Sequence, residues 1–254
     1  MQTFILLIIF IIGCFFGSFF TLAVYRIPKK EDILIKHSYC PNCNHKLGFL
    51  DLFPIFSYLF LRGKCRYCKN KIRARYFILE LLSGITFLLL AISMKFNINN
   101  FNYIHLFFTF IYIAVLFIIA GIDKEYVKIE RSVLLFGFIS EIIYIIYECT
   151  LNNSDVYKYV IYLIITIILL ILSIISLKKF MKQKYFIQIL FLSLFMVIFN
   201  GSIIYILTVI LTLLSIALYK IKNTKEMNLP IGYYLCISNI LIMIITNFVC
   251  NYMM

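Results

Sequence analysis

Eight apolar runs, at about 4–24, 77–94, 103–122, 132–149, 157–177, 185–199, 202–219 and 230–250, leave this chain of 254 residues few folds to choose from. Most of them approach the ~20 residues that cross a ~30 Å hydrocarbon core. Hydrophobic residues make up 63% of the sequence and the mean hydropathy is +0.99. A water-soluble domain of this length has too little interior for that much apolar surface, whereas lipid solvates it. Strands are excluded from the runs, because an open sheet edge stays unsatisfied in lipid. The expectation is an all-α polytopic membrane protein with about eight transmembrane helices. The short run at 185–199 is joined to the next by Asn200-Gly201, a turn dipeptide suited to a tight helical hairpin. The first run lacks a positive leader and its Lys/Arg cluster follows it, so it reads as a membrane helix and not as a cleaved signal.

Basic residues orient the bundle. Segment 26–75 holds 12 of the 24 Lys and Arg, and three later loops around 123–131, 178–184 and 220–225 hold most of the rest. If eight helices alternate, these all fall on one side and only Lys95 and Lys158 remain on the other. The positive-inside bias then puts segment 26–75 in the cytoplasm and both termini outside. Anionic membrane lipids account for the formal charge of +13 without any nucleic-acid partner.

The longest polar stretch runs from Ser38 to Gly84 and carries two Cys-x-x-Cys pairs, Cys40-Pro-Asn-Cys43 and Cys65-Arg-Tyr-Cys68. Two such knuckles about twenty residues apart match a four-thiolate zinc site, in which each knuckle folds back to bring two thiolates to one tetrahedral centre. The metal supplies folding energy that so short a polar segment cannot draw from a core. A reducing cytoplasm argues against disulfides. His37 and His45 lie close enough in sequence to act as substitute ligands, although four thiolates already close the site. Cys14, Cys149, Cys236 and Cys250 sit in apolar runs and read as small core residues. The division expected is a first membrane helix over 1–25, a zinc-ribbon-like cytoplasmic insertion over 26–76 between the first two helices, and seven membrane helices over 77–254.

Three carboxylates invite attention. Glu80 lies in the first turns of the second run, where it suits the helix dipole and can pair with Arg73 or Arg75. Glu141 lies near mid-depth in the fourth run, as a functional group or as a protonated, hydrogen-bonded link between helices. Asp123 ends the third run, followed by Glu125 and Glu130. A lone Asp at a helix end is by itself an interface residue.

These motifs, in this order, resemble the type IV prepilin peptidase family, the bifunctional leader peptidases and N-methyltransferases of pilus and type II secretion systems. Gly17 to Pro28, GSFFTLAVYRIP, is similar to the family's opening motif. The residues Cys40-Pro41, Asp51, Pro54, Ser57, Leu61-Arg62-Gly63, Cys65 to Cys68, Arg75-Tyr76 and Glu80 look like its N-terminal cytoplasmic domain. Leu229-Pro230-Ile231-Gly232-Tyr233-Tyr234 is similar to the last cytoplasmic motif before the eighth helix. The resemblance implies a multi-pass protein of the bacterial inner membrane acting on type IV prepilins or pseudopilins. It implies an aspartic protease with one catalytic aspartate at Asp123, and S-adenosylmethionine as methyl donor to the new pilin N-terminus.

One part of the pattern is missing. The family's second aspartate sits in a G-x-G-D-x-K motif, which by segment order falls at Lys179 to Lys184, yet neither glycine nor aspartate is there. The remaining aspartates, Asp32, Asp51 and Asp155, lie elsewhere. An aspartic dyad works because two close carboxylates share one proton, one activating water while the other donates to the scissile carbonyl. Glu125 is the nearest accessory candidate, with Glu130 and Glu226 also on the cytoplasmic side. Two outcomes follow: a prepilin-processing enzyme acting by leader cleavage, amine methylation or both, or a pseudo-peptidase that binds pilins or assembly factors. A transporter built on Glu141 is disfavoured, since no pair of broken helices is evident.

Overall fold

The computed structural model describes residues 2–33, 37–95, 103–151, 183–222 and 229–253, with five isolated positions between 157 and 168. The described residues form helices α1 (Gln2–Arg26), α2 (Phe56–Phe60), α3 (Arg75–Ser93), α4 (Tyr103–Tyr126), α5 (Arg131–Leu151), α6 (Gln183–Lys222) and α7 (Ile231–Phe248). Among them there is no strand, only two isolated β-bridges. Six of the helices are long and apolar enough to cross a membrane. The run expected at 157–177 lies outside the described residues apart from isolated positions.

The helix α6 is broken at Gly201, whose φ of 81° and ψ of 171° leave the helical region. An unbroken helix from Tyr185 to Tyr219 would run about 50 Å. Instead both ends return to the start of α7: the Tyr185 hydroxyl lies 3.4 Å from the Gly232 nitrogen, and the Tyr219 ring 5.8 Å from that of Tyr234. The two limbs therefore form the hairpin expected at Asn200-Gly201. Asn200 ties its tip to the bundle, donating to the Tyr112 hydroxyl at 2.8 Å and to Asn239 Oδ1 at 3.0 Å. Tyr112 in turn donates to Asn239 Oδ1 at 2.7 Å, and Asn239 to the Thr208 hydroxyl at 3.2 Å. Polar links of this kind hold membrane helices together where the hydrophobic effect does not.

The chain divides into two compact units, Met1–Phe101 and Asn102–Met254. In the first, α1 and α3 approach through small residues. A Cβ on Gly13 would come 2.9 Å from the Gly84 Cα, and one on Gly17 would come 2.7 Å from the Glu80 Cα. Ser83 adds a hydrogen bond from its hydroxyl to the Gly13 carbonyl at 2.7 Å. In the second unit α7 packs against α4 and α6, and α5 against α4.

Candidate functional site

Between α1 and α3 in chain order the two Cys knuckles repeat one construction at a spacing of 25 residues. Cys40 and Cys65 donate their backbone N–H to the carbonyls of His45 and Asn70 at 3.0 and 2.9 Å, and accept from Asn44 and Lys69. Asn44 and Lys69 both adopt left-handed φ, 56° and 59°. Each turn is closed by a bridge, Tyr39 to Lys46 and Lys64 to Lys71. The Sγ atoms of Cys40, Cys43, Cys65 and Cys68 lie within 4.8 Å of one another. Cys40 Sγ is 3.8 Å from Cys68 Sγ, and a tetrahedral zinc with sulfur at about 2.3 Å requires about that edge. The donor set and its size therefore fit Zn²⁺.

Side chains around the knuckles lock them in register. Asp51 forms an ion pair with Arg66, Nε to Oδ1 at 2.7 Å, and its Oδ2 accepts from the Gly48 N–H at 3.2 Å and from the Tyr67 hydroxyl at 3.3 Å. The His45 ring lies tilted over Tyr67 with centroids 3.5 Å apart, and among the described residues the group able to hold a metal consists of the four cysteines. The buried Arg26 closes the chain behind α1, donating to the carbonyls of Asp32 at 2.9 Å and His37 at 3.1 Å. Two thiols are perturbed in opposite senses. The Cys68 N–H, opposed by burial and helped by the Tyr67 N–H, brings Cys65 down to about 7. The Asn70 N–H favours the Cys68 thiolate, but burial and the neighbouring thiols outweigh it and hold Cys68 up at about 11.

Glu80, near the start of α3, turns its carboxylate to the loop before that helix. Its Oε2 accepts the backbone N–H of Ile55 at 2.8 Å. Ile55 has φ 63° and ψ −55°, a conformation that a β-branched residue adopts only under constraint. The carboxylate thus pins the segment after Pro54 onto α3.

In the second unit Asp123 is fully buried at the end of α4. The Tyr185 hydroxyl is 2.8 Å from both of its oxygens, and the Tyr233 N–H donates to Oδ2 at 2.9 Å. Gly232 closes the same site, because a Cβ there would lie 3.0 Å from Asp123 Oδ2 and 3.2 Å from the buried Ile129. A carboxylate facing the first amides of α7 is favoured by those unpaired N–H groups and by the helix dipole. The motif around Gly232 is legible here as a helix start built to receive Asp123.

No second carboxylate is bonded to Asp123 among the described residues. Glu125 is exposed on α4, and Glu130 pairs with Lys128. Glu226 and positions 179–182 lie outside the described residues, as do the side chains of Gln183 and Lys184. The group that meets Asp123 is the Tyr185 phenol, one residue beyond the stretch where the second aspartate is expected. A phenol donates a hydrogen bond to a carboxylate but does not share a proton with it as a second acid does. Glu141 is buried on α5, and neither of its oxygens has a hydrogen-bond partner, so the interhelical link expected of it is not made among the described residues.

A family model described as the Bacterial Peptidase A24 N-terminal domain matches residues 11–94. The chain is 35% identical over 129 residues to the prepilin leader peptidase/N-methyltransferase of Bacillus subtilis, covering 51% of this chain and 50% of that protein. It is 40% identical over 89 residues to the protein of that name from Vibrio cholerae, 32% of this chain and 35% of the relative. The Myxococcus xanthus relative is 38% identical over 79 residues, 31% and 24% of the two chains. The chain thus matches half or less of the length of these curated relatives. No solved structure matches it. Residues 11–94, which take in the later part of α1, both knuckles and α3, match the A24 N-terminal domain, and the relatives that share this stretch are named prepilin leader peptidase/N-methyltransferase.

Proposed function

We propose that this protein processes type IV prepilin-like substrates in the bacterial cytoplasmic membrane, with methylation of the pilin amine as its better-supported step and leader cleavage as a step that depends on Asp123. The observation that carries this reading is the four-thiolate module, complete in its donor set and geometry and lying inside the stretch that matches the family. In this reading Cys40, Cys43, Cys65 and Cys68 hold a structural Zn²⁺, which fixes the two knuckles and the loop between them. The positive-inside bias of the Lys and Arg supports a cytoplasmic side for the module. The methyl donor, S-adenosylmethionine, is inferred from the relatives' names and the resemblance, and no described residue is given a role in holding it.

Asp123 is the group that would activate water for cleavage. Its two oxygens accept from Tyr185 and Tyr233, so the phenol must move for a water to approach, and the second acid of a dyad has to come from elsewhere. That arrangement supports a second reading, a pilin-binding protein without proteolysis, for the peptidase half alone.

The test is to reconstitute the full chain in liposomes with a full-length prepilin and S-adenosylmethionine, and to read the product's N-terminus by mass spectrometry. A shortened, methylated or doubly altered N-terminus supports processing. An unchanged prepilin, where a control relative acts on it, refutes it.

A further inference from the structure

Residues 48–61, GFLDLFPIFSYLF followed by Leu61, interrupt the polar stretch with apolar side chains. These are not folded away: Phe60 is 83% exposed, Phe49 73% and Leu50 68%, with Phe56 and Leu59 also exposed. Soluble surfaces seldom show so many large apolar groups together. Their rings run in a chain of contacts, Phe49 to Phe53, Phe53 to Phe56 and Phe56 to Phe60.

The position of the segment explains the exposure. Phe53 packs edge-on against Phe15 of α1 at 5.3 Å. Phe15 precedes the end of α1 at Arg26 by about 16 Å along the helix axis. Tyr58 stacks on Phe77 at 5.2 Å, and Ile55 is bonded to Glu80, about 7 Å into α3. Phe49 and Leu52 also line a groove of about 250 Å³ with Phe15, Phe19 and Leu22 of α1. The segment therefore runs alongside two apolar helices, and Phe15 and Phe19 continue the same exposed apolar surface. Exposed Lys46, Lys64, Lys69 and Lys71 flank it on the knuckles.

Part of its backbone is bonded within the segment or to α3. Gly48 donates to the Asp51 carboxylate, and Asp51 and Leu52 donate back to the Gly48 carbonyl. Ser57, Leu59 and Leu61 donate to the carbonyls four residues before them, Ile55 donates to Glu80, and Pro54 has no N–H to satisfy. Each of these bonds lowers the cost of approaching lipid, where an unsatisfied backbone group is expensive.

We propose that residues 48–61 form a re-entrant aromatic loop that inserts into the lipid bilayer beside α1 and α3 and holds the four-thiolate module against the membrane surface. Apolar rings enter the acyl boundary while the lysines of the knuckles face anionic headgroups. Glu80 pins the loop at the strained Ile55.

The sequence contains no tryptophan, so one introduced at a chosen position is the sole indole fluorophore. Full-length Phe60→Trp, Asn70→Trp and Ile12→Trp variants are reconstituted in phosphatidylcholine/phosphatidylglycerol vesicles whose phosphatidylcholine carries bromines along its acyl chains. Expected is several-fold quenching of Phe60→Trp by the brominated lipid with little quenching by aqueous acrylamide, and the reverse for Asn70→Trp on the exposed knuckle. Ile12→Trp reports on α1, whose crossing of the membrane the proposal assumes. Acrylamide quenching at position 60 with lipid quenching at position 12 overturns the loop insertion alone. Lack of lipid quenching at both positions overturns the membrane placement of α1 as well. Shielding of position 60 from both quenchers overturns the proposal in favour of a protein occupant, a substrate helix or a second copy.

Discussion

Replacing Tyr185 by Phe removes one hydroxyl and nothing else from the site, which makes it the sharpest probe of what Asp123 does. The hydroxyl is 2.8 Å from both carboxylate oxygens, and Asp123 is fully buried. Without it the carboxylate keeps the Tyr233 N–H at 2.9 Å but loses its side-chain donor. A hydrogen bond to a charged group contributes about 1.5–3 kcal/mol, and the cost is greater when the partner left behind is buried. We therefore expect Tyr185→Phe to destabilise the protein by about 2 kcal/mol, read as a fall of about 4–8 °C in Tm for a chain of this size. Circular dichroism melts in detergent measure it, with Asp123→Asn and the double variant completing a cycle. The two losses should fall short of additive by about 1 kcal/mol or more, because both variants break one interaction. Strict additivity, or an unchanged Tm for Tyr185→Phe, would refute the reasoning.

Other consequences follow from the same contacts. Gly17→Ala places a methyl 2.7 Å from the Glu80 Cα, and backbone cannot yield as a side chain can; a loss of about 1–3 kcal/mol is expected in the same melts, and a neutral result contradicts the packing of α1 on α3. Cys40→Ser should lower bound zinc from about one per chain to well below half, measured by elemental analysis of the purified protein. Zinc affinity should weaken on acidification between about pH 8 and pH 6, because protons reclaim the thiolates. The sign follows from the thiols: Cys68, held at about 11, gives up its proton on binding at neutral pH, whereas Cys65, at about 7, is already partly ionised there. Competition with a chelator across that range tests it, and an affinity independent of pH would rule it out.

Much of this arrangement is legible in the sequence, and the exceptions have physical reasons. The knuckles declare themselves because four thiolates at that spacing have few other uses. Asn200-Gly201 announces its turn, since only glycine takes φ 81° with ease. Asp123 alone looks like an interface residue, and only the family pattern marks it. Tyr185 gives no signal: it begins an apolar run, and its bond to a carboxylate 62 residues earlier exists only once the hairpin of α6 folds back onto α7. The bond of Glu80 to the Ile55 N–H is equally silent in the sequence, because that N–H is offered only by the bend at Pro54-Ile55. Residues 48–61 are hidden by their flanks, where lysines, arginines and cysteines make the whole stretch read as polar.

The most direct measurement is made on a pilin already cleaved, offered with S-adenosylmethionine to the zinc-loaded chain and to the same chain stripped of metal. The account predicts one methyl group added to the pilin amine by the loaded protein and little or none by the stripped one, by mass spectrometry. A loaded chain that leaves the amine unmodified, beside a control relative that methylates it, would contradict the account at its centre.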